Sequence, residues 1–177
     1  MAHIALPDGL PGITGPLAAY PRTAKHLLGL AQELLRGEST LAPGERELIA
    51  AYVSSENDCF FCTNSHSAAA RHLLGEDGEV VEQVKLGLGE ARVSEKMRAL
   101  LTIAGKVQQG GRRVTDEDVT RARAEGATDQ EIHDTVLIAA AFCMYNRYVD
   151  GLATWAPDDA EMYDEHGRML AARGYER

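Results

Sequence analysis

The stretch from Thr128 to Leu152, TDQEIHDTVLIAAAFCMYNRYVDGL, constrains the fold more than any other. Thr128 and Glu131 stand at the spacing of a capping box, in which hydroxyl and carboxylate satisfy free backbone N–H groups at a helix start. Beyond them, Val136 to Tyr145 is apolar without interruption. A helix apolar on every side must be covered all round, at the centre of a bundle or at a subunit contact. The run is far shorter than the roughly 20 residues needed to span a bilayer. With few flanking helices to cover it, the segment predicts a homo-oligomer.

Most of the remaining chain also carries helical periodicity. From Pro21 onward, Leu27, Leu28, Ala31, Leu34 and Leu35 share one stripe of AKHLLGLAQELL. Pro43 suits the first turn of PGERELIAAYVSSE, whose apolar face holds Leu48, Ile49, Tyr52 and Val53. A helix from about Cys59 to Leu74 follows, with Asp58 as its N-cap and Gly75 after its end. A shorter helix is expected over Gly78 to Leu86. Ser94 caps EKMRALLTIAGKVQQ, Thr115 caps DEDVTRARAEG, and a last helix spans Asp158 to Ala172. No segment alternates as a strand does. The expected fold is all-α, a single-domain helical bundle over residues 21–177. Residues 1–20 read as an extended Pro/Gly-rich lead-in.

Hydrophobic residues are 45% and charged residues 25% of the 177, an ordinary globular balance. A net charge of −9, with no basic cluster beyond GGRRV, argues against nucleic acid as a partner. The N-terminus lacks the basic start and apolar run of a signal peptide, so the expected location is cytoplasmic, with no membrane partner. There, three cysteines do not make a disulfide framework, and a close pair is catalytic, redox-active or metal-binding.

Such a pair occurs in SSENDCFFCTNSHSAAAR. If a helix starts at Cys59, then Cys59, Cys62 and His66 lie on one face. Free N–H groups of the first turn favour a thiolate on Cys59, whereas the imidazole one turn away favours one on Cys62. These arguments select different sulfurs and leave the attacking one open. Glu47, among apolar neighbours on the preceding helix, either faces inward and orients His66 or points to water. Zinc is a rival, but Cys59, Cys62 and His66 make three ligands where a structural site needs four; Glu47 or Asp58 would be the fourth, without a spacing signature. Cys143 reads as a small buried core residue, and Asn146 and Arg147 as polar groups satisfying helix ends or neighbouring backbone.

The segment GERELIAAYVSSENDCFFCTNSH resembles the signature region of the carboxymuconolactone decarboxylase-like superfamily, in particular its alkylhydroperoxidase D-like branch. That branch carries a Glu, a C-x-x-C twelve residues later and a His four positions after the second Cys. Here these are Glu47, Cys59, Cys62 and His66. SSENDCFFC is similar to the peroxidase-related group, where S-x-x-N-x-C-x-x-C-x-x-x-H recurs. LPGITGPLAAYP and YNRYVDGL extend the likeness weakly over most of the chain. The resemblance implies an all-helical oligomer without a bound cofactor, with Cys62 as attacking thiol, Cys59 as resolving thiol, and Glu47 with His66 as proton relay. Well-characterised members carry a second relay histidine directly before the second cysteine, where this chain has Phe61. A phenyl ring carries no proton; an apolar pocket mouth favouring bulky organic hydroperoxides is expected instead.

The expected function is thus that of a thiol-dependent peroxidase or disulfide oxidoreductase acting on hydroperoxides. A thiolate opens the peroxide bond, a second thiol closes a disulfide on the sulfenic acid, and an external dithiol restores the pair. A lipoyl group and a thioredoxin-like protein are the candidate reductants. The alternatives are a non-catalytic redox sensor with a switchable dithiol and a zinc-stabilised structural domain. The dithiol argues against lactone decarboxylation, the role of family members that lack it.

Overall fold

The computed structural model describes residues 2–175. Among them the chain forms α1 (Thr14–Ala19), α2 (Pro21–Arg36), α3 (Pro43–Glu56), α4 (Phe60–Leu74), α5 (Val80–Leu86), α6 (Glu95–Gln109), α7 (Asp116–Ala124), α8 (Asp129–Gly151) and α9 (Ala160–Arg173), with short 3₁₀ turns at Gly75–Glu79 and Gly111–Arg113. No strand occurs among the described residues. The fold is all-α, as the periodicity predicts, and its caps follow the local chemistry. Ser94 Oγ accepts from Met97 N–H, and Thr115 and Thr128 each close a capping box, with Asp118 and Glu131 respectively.

α3 lies at the centre, packed on α4, α6 and α8. Its Leu48, Ile49, Ala50, Tyr52 and Val53 are buried in one cluster with Leu35 of α2, Leu100, Leu101 and Ile103 of α6, and Ile138 and Phe142 of α8. α4 is held between α3 and α9. The approach of α9 depends on Gly167, because a Cβ there would lie 2.4 Å from Ala68 Cβ and 2.6 Å from its backbone carbon.

Two expectations change here. Residues 14–19 are helical within the lead-in, and the segment from Gly78 is a 3₁₀ turn before α5 begins at Val80. The lead-in docks through Gly12 N–H, which donates to Trp155 O at 2.7 Å, and Gly12 takes φ +54° where a Cβ would strike the Phe61 ring. In keeping with its all-round apolar run, α8 is not enclosed by its own chain: Leu137 and Met144 are 37% and 43% exposed. One side of its apolar run therefore faces outward. No helix among the described residues is long and apolar enough to cross a membrane.

Candidate active site

Between α3 and α4 the chain reverses through Asn57, Asp58 and Cys59. Asp58 does not cap α4. It takes φ +56°, a left-handed conformation that aspartate tolerates better than most residues, and the turn needs it there. Cys59, with extended backbone angles, becomes the N-cap, and Cys62 falls in the first turn. Both are buried, with Phe61, Val149 and Tyr163 around them.

The two thiols hydrogen-bond to one another, and their environments push them apart. Cys62 is lowered, first by the hydrogen bond from Cys59, against burial, and then by the charge of His66 and a hydrogen bond from Asn146. Cys59 is raised, first by its hydrogen bond to Cys62 and then by burial; the Cys62 backbone N–H pulls the other way and loses. The thiolate is therefore favoured on Cys62 rather than Cys59, mainly through the hydrogen bond from Cys59 and to a lesser degree through His66.

Asn146 ties α8 to this turn rather than satisfying a helix end. Its Nδ2 donates to Ser54 Oγ (3.1 Å), and its Oδ1 accepts from Asn57 Nδ2 (2.8 Å). Asn57 Nδ2 also lies 3.6 Å from Cys143 Sγ, and Cys143 is half-buried rather than in the core.

Glu47 faces inward and is fully buried. Its Oε2 is 2.7 Å from His66 Nδ1. Its Oε1 accepts from Arg36 Nη2 at 2.7 Å and from the Tyr175 hydroxyl at 2.5 Å. Burial pushes the carboxyl up, but His66, Arg36 and Tyr175 together bring it below its ordinary value. An ionised Glu47 makes Nδ1 the protonated ring nitrogen and leaves the Nε2 lone pair free. Phe142 meets the imidazole edge-on at 4.6 Å. Burial first, then the Glu47 charge, holds the Tyr175 phenol well above its usual range.

Cys62 and His66 line a cavity of about 90 Å³. Its other walls are mostly apolar, including Leu17, Leu27, Ala31, Phe61, Phe142 and Leu170, and His166 of α9 also borders it. Residues 59, 62 and 66, singled out from spacing, and Glu47, implied by the family resemblance, thus meet in one place. Arg36 and Tyr175 were missed: they approach from opposite ends of the chain, and no local pattern links them to Glu47. Among the described residues no group of three or more His, Cys, Asp or Glu side chains is placed to hold a metal ion.

Fold and site together define an all-α protein with a buried, polarised dithiol beside a carboxylate-anchored imidazole. Residues 21–84 match the model of the carboxymuconolactone decarboxylase family. The structure is similar to the alkylhydroperoxidase AhpD core of an uncharacterised peroxidase-related protein from Ralstonia eutropha JMP134, with TM-score 0.78 and 27% identity, covering 89% of this chain and 81% of that one. An uncharacterised peroxidase-related protein from Silicibacter sp. TM1040 also gives TM-score 0.78 and 27% identity, covering 94% and 96%. A protein of unknown function from Agrobacterium tumefaciens, 24% identical with TM-score 0.69 over 81% and 97%, shares the fold. No curated protein matches the chain. The likeness is thus to the carboxymuconolactone decarboxylase family over residues 21–84, and to alkylhydroperoxidase D-like, peroxidase-related structures over most of the chain.

Proposed function

We propose that the protein is a thiol peroxidase that reduces organic hydroperoxides through Cys62 and Cys59, with His66 as proton carrier and Glu47 as its anchor. The observation that carries this reading is the burial of Cys59 and Cys62 together at the start of α4, with Cys62 and the Glu47-anchored His66 on one cavity.

His66 Nε2 takes the Cys62 proton, the resulting thiolate attacks the terminal oxygen of ROOH, and the O–O bond breaks. Sulfur becomes the sulfenic acid, and the leaving alkoxide takes a proton from the His66 imidazolium as ROH. That step removes the thiolate whose hydrogen bond is the largest influence raising Cys59. Cys59 then gives its proton to His66 and attacks the Cys62 sulfur. Hydroxide leaves, is protonated by His66, and departs as water while the disulfide forms. An external dithiol reduces the disulfide by exchange and is itself oxidised.

The cavity narrows the substrate expectation. At about 90 Å³ it is well below the roughly 300–1,000 Å³ of sites for drug-sized ligands. Its apolar lining suits an alkyl group, but Phe61 occupies space rather than widening the mouth. This volume favours short-chain over bulky hydroperoxides. Deep burial of both sulfurs likewise favours a slender reductant such as a lipoyl arm over a thioredoxin-like protein. The test is turnover of tert-butyl and cumene hydroperoxide with a lipoyl dithiol. The smaller substrate should give the higher kcat/KM, and no catalysed turnover of either would remove the reading.

A further inference from the structure

The contacts of Tyr175 have a consequence for the imidazole. Its hydroxyl is 2.5 Å from Glu47 Oε1 and 3.2 Å from His66 Nδ1. The carboxylate only accepts, so the phenol proton is committed to Glu47. The phenol oxygen then offers only lone pairs to His66. Nδ1 thus faces two acceptors, Glu47 Oε2 and the Tyr175 oxygen, and must carry the ring proton.

The rest of the residue is held in that position. Its ring lies nearly parallel to the imidazole at 6.1 Å and 15°. The Arg36 guanidinium stands 5.3 Å over the phenol ring while also bonding Glu47 and Leu170 O. Tyr175 N–H donates to Gln32 Oε1 at 2.7 Å. Gly174 makes this approach possible: at φ +68°, an added Cβ would fall 2.5 Å from the same Gln32 oxygen.

We propose that Tyr175 is a positioning residue for the relay: its phenol fixes the proton of His66 on Nδ1 and so keeps Nε2 as the base that serves Cys62. The proposal rests on the thiol chemistry assigned to the site above. It also gives the chain after α9 a task, since that segment closes the far wall of the cavity and completes the anchoring of Glu47. The remaining ionisable groups around the pair are Arg36 from α2, Glu47 from α3, Tyr145 and Asp150 from α8, and Tyr163 and His166 from α9. All are retained in the variants below.

The test measures Cys62 directly, without hydroperoxide. The fully reduced chain is alkylated with iodoacetamide across a pH series, and the rate at each cysteine is read by peptide mass mapping. Tyr175→Phe keeps the ring and removes the hydroxyl; Gly174→Ala keeps Tyr175 and displaces it. Both should slow Cys62 alkylation at neutral pH about 3- to 10-fold, the weight of one lost hydrogen bond, and move its pH midpoint upward. Cys143 should react as before. In a His66→Ala background, Tyr175→Phe should add nothing. Superimposable Cys62 profiles for wild type and both variants, or a full Tyr175→Phe effect without His66, would overturn the proposal. A Tyr175→Phe effect in a protein lacking peroxide turnover would remove the peroxidase reading and still support the positioning role.

Discussion

At the scale of single residues, the site separates groups that react from groups that hold them. His66→Ala should cut peroxide turnover by roughly 10²–10⁴-fold, the range for a general acid–base group. Glu47→Gln should cut it less, because Glu47 acts through the ring. Cys59→Ser should permit one oxidation of Cys62 and then stall, which a single-turnover measurement would show. Glu47 also carries a pH signature. Its folded-state value lies below its ordinary one. Its stability contribution is therefore present above the unfolded value of about 4.3 and lost as pH falls through the folded value. Denaturant unfolding between about pH 3 and 7 should show a shallower acid decline for Glu47→Gln than for wild type. At pH 7 that variant should lose about 3 kcal/mol, because Arg36 keeps its charge without its buried partner. Glu47 was legible in the sequence as a carboxylate among Leu48, Ile49, Tyr52 and Val53, and through the family resemblance as the Glu twelve residues before Cys59. Of its partners, His66 was foreseen, but Arg36 and Tyr175 were not, since they are set by tertiary packing.

At the scale of elements, α4 and its neighbours position the chemistry. Gly167→Ala should force α9 off the Ala68 backbone and destabilise the fold by about 1–3 kcal/mol, measurable as a lower denaturation midpoint. Because α9 leads into Tyr175, Cys62 alkylation should slow as well. Most helix boundaries were readable because caps and apolar stripes are local: Ser94, Thr115 and Thr128 act where their spacing puts them. The N-cap of α4 was not, because Asp58 has the chemistry of a cap but is needed at positive φ to turn the chain. Likewise YNRYVDGL and S-x-x-N were visible as separate motifs. Their connection, Asn146 bonded to both Ser54 and Asn57, exists only once α8 packs on α3.

At the scale of the whole molecule, α8 keeps an outward apolar strip at Leu137, Ala140 and Met144. We expect a second copy of the chain to cover it. Light scattering at micromolar concentration should give a multiple of the chain mass, and Met144→Glu should lower it. A stable wild-type monomer would contradict that expectation. The central claim concerns the dithiol, and one measurement tests it most directly. Reduced protein is treated with one equivalent of tert-butyl hydroperoxide, and the cysteines are mapped by mass while the alcohol product is quantified. The account predicts one tert-butanol per chain, a disulfide linking Cys59 to Cys62, and Cys143 still free, with no product from Cys62→Ser. Peroxide left unconsumed, or a main disulfide containing Cys143, would contradict it.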